Sequence, residues 1–477
     1  MATVNGCSDD LHVGVVSRRL VKASDPSIQP HVLALSNLDF LGRPVRISMF
    51  CVYPKPQAGD FAAVVAAFEA GLPSLLNHFF PLAGRLSINP SSGFPEPEVH
   101  CGNQGAELVV GEAGVPLACL DYGAAGAAAR AIRQPYDAEL ALSVQVVSFA
   151  CGGFTVAWCS SHALMDGGAL SLLVRAWSEL ARSGTLAVGS TPRHDRSLLR
   201  PRSPPSYGAA LQDQFMPLHA ERHKVNVLTL EENRFVERLY YIEASDVARL
   251  RGAASLDDGG GQRATRVQAV SAYLWKALAG VVGTADTHCR LRWVVDGRVR
   301  ITAPELRAAM RSYAGNFMTS VVGEASVQEV LRMPLPDVAA MARAAIMAPA
   351  YDEHFRELVD WVEEHKAERY INKATLGVGS PVVGITAFAS FPIDTDFGFG
   401  HAAMAMPTST AAGVRYYSGF VQIFSRPGDD DGSLFVNTVV WPRLAAALES
   451  DERRIFKPVT ADYLGLSAPG VRPSCRL

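Results

Sequence analysis

His162 and Asp166 stand four residues apart in Ser160-Ser161-His162-Ala163-Leu164-Met165-Asp166-Gly167-Gly168, where a β-rich run ends and a helical pattern begins. An imidazole titrates near neutrality, so a histidine at such a junction is suited to take a proton from an attacking hydroxyl or amine. The paired glycines permit the sharp turn that would set the ring at the mouth of a cleft. Asp166 has two readings from spacing alone: it orients the imidazole, or it anchors the turn through a buried ion pair. Ser160 and Ser161 raise a hydrolase with a Ser-His-Asp triad as a competing chemistry. The chain holds no G-x-S-x-G elbow, and adjacent strand residues point to opposite faces, which argues against it.

The elements that must carry these residues are mixed. Ala141 to Phe149 and Gly153 to Ser160 read as antiparallel strands joined at Cys151-Gly152-Gly153, and Gly167 to Arg182 as a helix with a broad apolar face. Helical spacing recurs over Phe61 to Leu76, Ala244 to Arg251, Arg266 to Val282, Leu331 to Met347 and Asp352 to Lys366. Strands are expected over Phe235 to Ile242 and Cys289 to Val299. Each half thus carries helices between β runs, which suggests two related α/β domains. Between the halves, Gly189 to Tyr207 holds Pro192, Pro201, Pro204 and Pro205 with almost no apolar pattern. Proline fixes φ and removes a donor, so this stretch reads as a stiff, solvated connector, its arginines included. The expected division is residues 1–188, a linker over 189–212, and 213–477.

Composition narrows the function classes. The chain has 477 residues, 48% of them hydrophobic and 19% charged, which excludes a disordered protein. A formal charge of -3 argues against a nucleic-acid partner, which needs a basic face. No apolar run approaches the roughly 20 residues of a spanning helix, and Met1 to His12 carries no leader-like pattern. Eight scattered cysteines without a C-x-x-C pair read as reduced thiols, and a cytoplasmic location follows as the expectation. Asp257-Asp258-Gly259-Gly260-Gly261 reads as a flexible loop and lacks the Lys-Ser/Thr of a phosphate-binding loop. His354 and His365 are eleven residues apart with no H-E-x-x-H, so they read as a solvated helix face and no metal is expected.

Read together, the motifs carry a resemblance. His162-x-x-x-Asp166-Gly167, followed some 230 residues later by Asp396-Phe397-Gly398-Phe399-Gly400, resembles the H-x-x-x-D-G and D-F-G-W-G hallmarks of the plant BAHD acyltransferases. Val295-Asp296-Gly297-Arg298, Tyr313-Ala314-Gly315-Asn316-Phe317 (similar to the family's Y-F-G-N) and Asn77 to Arg85 (similar to its Y-P-L-A-G-R) extend the likeness along the chain. The resemblance implies a monomer of two α/β domains of the chloramphenicol acetyltransferase kind, mixed sheets with flanking helices joined by a long crossover loop. A channel at the domain interface would hold His162 as general base. An acyl-CoA co-substrate would meet a small alcohol or amine acceptor there, with no bound cofactor, metal, nucleic acid or membrane.

Roles for other residues follow from the same likeness. Asp166 is implied to pair with an arginine, Arg298 or Arg300. Asp396, with Gly398 and Gly400, is implied to anchor a structural turn, and Asn316 to fix backbone near the channel. Thr386-Ala387-Phe388 stands where hydroxycinnamoyl-transferring members carry T-S-W, leaving Thr386 as the candidate oxyanion donor, while Phe388 and Phe399 each replace a tryptophan. Arg263, Thr265 and Arg266 are candidates to grip coenzyme A phosphates. The expected donor is hydroxycinnamoyl- or benzoyl-CoA; an aliphatic or acetyl donor, or a family-like protein that binds without turnover, are the alternatives.

Overall fold

A computed structural model describes residues 11–42, 45–187, 189–217, 235–255, 263–368, 370–373, 380–391, 393, 395–410, 419–428, 431–450 and 452–466. The loop expected over Asp257 to Gly261 lies outside the described residues. The strands are β1 (Val13–Val21), β2 (His31–Ala34), β3 (Arg46–Tyr53), β4 (Arg85–Ile88), β5 (Pro97–Cys101), β6 (Ala106–Ala113), β7 (Leu142–Phe149), β8 (Phe154–Ser161) and β9 (Phe215–Pro217) in the first half. The second half adds β10 (Val236–Ile242), β11 (His288–Asp296), β12 (Met318–Ser326), β13 (Tyr370–Asn372), β14 (Val382–Ala387), β15 (Met404–Thr410), β16 (Gly419–Phe424), β17 (Leu434–Val440) and β18 (Lys457–Pro458). The helices used below are α1 (Phe61–His78), α2 (Gly167–Ser183), α3 (Arg266–Val282), α4 (Pro304–Met310), α5 (Val327–Arg332), α6 (Leu335–Met347) and α7 (Tyr351–His365).

Two large mixed sheets organise the chain, in the orders β1-β6-β7-β8-β3-β15 and β12-β11-β14-β16-β17-β10-β18. Strands β7 and β8 pair antiparallel, Leu142 opposite Ser160. Both are buried on both faces, as their near-continuous apolar runs require. The sheets do not divide the chain at a single point: β15, from the C-terminal half, pairs antiparallel with β3 and completes the first sheet. The turn before β15 is tied to the same core, because Phe397 packs against Phe68, Trp158 and Trp177 with ring centroids 5.9 to 6.2 Å apart.

Helix ends follow local chemistry. Asp166 caps α2 by accepting the Ala169 N–H at 2.9 Å, and Gly184, at φ 72°, ends it. Two expectations change. Leu331 to Met347 is two helices, because Pro334 stands between α5 and α6 and cannot supply the amide that would continue the ladder. The 189–212 segment, expected to be solvated, is buried in part. Arg196, Leu199 and Leu211 are buried, and Arg193 exchanges backbone hydrogen bonds with Ser312 and Ala314. Arg196 enters the interior there because Asp39 and two carbonyls from distant sequence converge on it. Among the described residues no helix is long and apolar enough to cross a membrane.

Candidate active site

The last residue of β8 is Ser161, and the chain turns at once. The His162 N–H donates to Val45 O at 2.8 Å, and the Leu164 N–H reaches back to Ser161 O at 3.0 Å. Ser160 is fully buried with its hydroxyl donating to Ala141 O at 2.7 Å, so it has no part in a triad with the neighbouring histidine. The His162 ring is half-buried, and its Nδ1 lies 3.0 Å from Asn316 Oδ1.

That contact sets the imidazole's tautomer. Asn316 is fully buried, and its amide nitrogen lies 2.8 Å from Asp39 Oδ1 and 2.8 Å from the His162 carbonyl. Both of those atoms only accept, so the amide nitrogen must face them and Oδ1 must face the ring. An amide oxygen is itself only an acceptor. In the neutral ring the proton therefore sits on Nδ1, and Nε2 keeps its lone pair. Asn316 does more than the expected fixing of backbone: it holds the ring's orientation and its tautomer.

Two buried ion pairs hold the segment that carries Asn316. Asp39 Oδ1 accepts the Asn316 N–H at 2.9 Å, while its Oδ2 accepts Arg196 Nε at 2.9 Å and the Ser36 N–H and hydroxyl at 2.9 and 2.8 Å. Arg196 also donates to Ala314 O and Leu164 O, at 3.0 and 3.2 Å, so one guanidinium joins Asp39, the histidine turn and the asparagine segment. Burial alone would lower the Arg196 pKa; the Asp39 carboxylate, with Tyr313 and Asp166, raises it above the ordinary value.

On the other flank Arg298 grips Asp166 through two bonds, Nη1 to Oδ2 at 2.8 Å and Nη2 to Oδ1 at 3.0 Å. It donates as well to Asp296 Oδ1, Tyr313 O and Gly315 O, at 3.0, 3.1 and 2.8 Å. Asp166 Oδ2 accepts the Phe317 N–H at 2.8 Å. Burial would raise the Asp166 pKa, but the guanidinium and the amide donors hold it below the ordinary carboxylate value. Of the two readings of Asp166, the ion-pair anchor is the one its contacts match. Arg300 is not its partner: its Nη1 points to Met347 Sδ at 3.1 Å.

The remaining expected residues fall into three places. Asp396 Oδ1 accepts the Gly398 and Gly400 amides at 2.9 and 3.1 Å, and both glycines take positive φ (91° and 88°). Phe399 is half-buried against the core. Thr386 is half-buried on β14, opposite Gln422 of β16. Phe388, just beyond it, lies against Gly167, where a Cβ would meet the ring at 2.3 Å. Arg263, Thr265 and Arg266 lie at the start of α3, where the Thr265 hydroxyl oxygen accepts the Gln268 N–H in a capping box that uses the oxygen and not its O–H. His354 and His365 are no solvated face either. His354 Nε2 is 2.7 Å from Thr319 Oγ1, and His365 stacks on Trp361 at 4.2 Å.

Asp39 and Arg196 were not singled out by sequence reasoning. Asp39 carries a faint signal, a lone acid between the apolar residues Leu38 and Phe40; Arg196, among prolines, carries none.

Comparison with known proteins identifies the family and the fold. A model of the Transferase family matches residues 11–445. Omega-hydroxypalmitate O-feruloyl transferase of Arabidopsis thaliana is 26% identical over 390 residues, covering 79% of this chain and 80% of that protein. Putrescine hydroxycinnamoyltransferase 3 of Oryza sativa subsp. japonica is 26% identical over 422 residues, 83% and 90% of the two chains. Anthranilate N-benzoyltransferase protein 1 of Dianthus caryophyllus is 27% identical over 381 residues, 75% and 80% of the two. Among solved structures, vinorine synthase superposes with a TM-score of 0.69 at 20% identity, covering 94% of this chain and all of that one. F. graminearum TRI101, complexed with coenzyme A and deoxynivalenol, gives 0.71 at 15% identity over 90% and 99%. At such identities the likeness to both structures is one of fold.

Proposed function

Since the chain belongs to the Transferase family, the acyl-CoA-dependent BAHD acyltransferases, we propose that it moves a hydroxycinnamoyl or benzoyl group from a coenzyme A thioester to the hydroxyl or amine of a small plant metabolite, with His162 as the base. The observation that carries this reading is the Nδ1–H tautomer set by Asn316, which presents a basic Nε2. An acceptor hydroxyl is too weak an acid to ionise at neutral pH. A base at Nε2 removes its proton as the oxygen attacks the thioester carbonyl, an effect worth about 10²–10⁴-fold.

The step balances without an acyl-enzyme. A C–O or C–N bond forms as the acceptor's proton passes to Nε2. The tetrahedral intermediate then collapses, the C–S bond breaks, and the imidazolium returns the proton to the departing thiolate. Holding both substrates together supplies much of the remaining rate. Thr386 is our candidate donor to the developing oxyanion; Asp166, Arg298, Asp39 and Arg196 hold the histidine and asparagine segments against each other. The relatives' names span oxygen and nitrogen acceptors, and feruloyl, hydroxycinnamoyl and benzoyl donors, which supports an aromatic donor over an acetyl one.

A panel of aromatic and aliphatic acyl-CoAs against mixed alcohols and amines, followed by free-thiol release, tests the proposal. Release that requires both partners, fastest with aromatic donors, is the expected result. Binding of acyl-CoA with no release for any pair would instead mark a protein that binds without turnover.

A further inference from the structure

We infer that a cleft beside the Asp166–Arg298 pair is an anion site that takes the carboxylate or phosphate of a small, partly apolar group. The cleft has a volume of about 290 Å³ and lies between α2, the turn after β11, α4 and the residues following Phe388. Arg298 reaches from its Asp166 pair into the wall, so the cleft abuts the His162 turn without including the histidine.

Four arginines, Arg175, Arg298, Arg307 and Arg311, line it against a single carboxylate, Asp296. Two of the guanidiniums are spoken for. Arg298 is neutralised by Asp166 and Asp296, and Arg175 lies near Glu179. Yet the Arg175 Nε–H is buried with no hydrogen-bond acceptor among the described residues: Glu179 Oε1 is 3.6 Å away and already accepts the Ser190 hydroxyl at 2.8 Å. That atom has almost no exposed surface, so the charge an anion would meet in the cleft comes from the two remaining guanidiniums. Arg307 and Arg311, exposed on and just after α4, have no carboxylate partner among the described residues. A planar guanidinium fork matches carboxylate and phosphate oxygens, so the pair is suited to close over such a group. Leu172 and Phe391 add apolar surface to the lining, which suits an aromatic or aliphatic body behind the charge. At this volume the cleft accommodates one such group and not a whole nucleotide thioester.

Resting on the acyl-transfer reading, two sources offer that chemistry: an acidic acceptor and a phosphate of coenzyme A. The test compares wild type with R307Q, R311Q and the double variant, by calorimetric titration with coenzyme A, dephospho-CoA, anthranilate and methyl anthranilate. Charge-assisted contacts of this kind predict a loss of about 10-fold or more in the double variant. Weakening confined to coenzyme A, with wild type preferring it to dephospho-CoA, assigns the cleft to phosphate. Weakening of anthranilate but not of its neutral ester assigns it to carboxylate. Affinities for coenzyme A and anthranilate both within twofold of wild type, or no binding of either by wild type, would overturn the inference. Failure of the acyl-transfer reading shows separately, as absence of thiol release by wild type across the substrate panel.

Discussion

Replacing Asn316 with alanine removes the one acceptor that holds the His162 Nδ1–H. Three contacts go with it: 3.0 Å to the ring, 2.8 Å to Asp39 and 2.8 Å to the His162 carbonyl. Asp39 keeps its backbone donor from residue 316, its two donors from Ser36 and its arginine, so the carboxylate stays compensated. The lost hydrogen bond to that carboxylate and the bare carbonyl together cost about 2–4 kcal/mol of stability. The kinetic loss is bounded by what a general base supplies. A ring free to rotate and to take either tautomer should lower the rate by about 10²-fold, short of the loss on deleting the imidazole. Thiol release at saturating donor and acceptor, below the temperature at which the variant begins to unfold, measures it. The decisive comparison is a double-mutant cycle with His162→Ala. If Asn316 acts through the ring, N316A costs nothing further once the ring is gone. A second, multiplied 10²-fold loss in the H162A background would refute the reasoning.

Other perturbations have equally definite outcomes. R298M leaves Asp166 buried without its cation and should cost about 3–5 kcal/mol, read as a lower urea midpoint that R298M/D166N partly restores; an unchanged midpoint would remove the pair from the stability account. The Asp166 carboxyl lies below its ordinary value of 3.8 when folded, so its contribution is present above that pH and is lost as pH falls through the folded value. T386V should lower kcat by about 10²-fold or more while acyl-CoA affinity holds, and a loss under threefold would exclude Thr386 as the oxyanion donor. Burial pushes His194 and His354 down to about 4 from 6.5. The unfolded chain therefore takes up protons first on acidification, and stability complete above pH 6.5 declines toward pH 4, by about 3 kcal/mol per ring at most. Urea midpoints at pH 7 and 5 should show the decline, flattened in H194Q and H354Q; identical pH slopes in those variants would contradict the assignment.

What was legible in the sequence was mostly local. The His162 turn, the helix from Gly167 and the positive-φ glycines at 398 and 400 are written in neighbouring residues, and each lies where its motif puts it. Contacts across long separations were not legible. Arg196 sits 157 residues from Asp39, and the prolines around it signal a stretch that builds no core. A single arginine can still be buried there, because a carboxylate and two carbonyls from elsewhere converge on it. Asn316 was noticed for its motif, but the atom it serves lies 154 residues away. Thr265 shows the opposite case. Its Thr-x-x-Gln spacing spelled a capping box, and that local chemistry uses the hydroxyl oxygen as an acceptor. The change from one helix to two at Pro334 was likewise written in a single residue, overridden by apolar periodicity on either side of it.

The central claim is that the His162 Nε2 takes the acceptor's proton, and His162→Ala tests it most directly. With the donor and acceptor pair that wild type uses best, thiol release should fall by about 10²–10⁴-fold while calorimetry finds acyl-CoA affinity within twofold of wild type. Undiminished release from the variant, with the donor bound as before, would contradict the account.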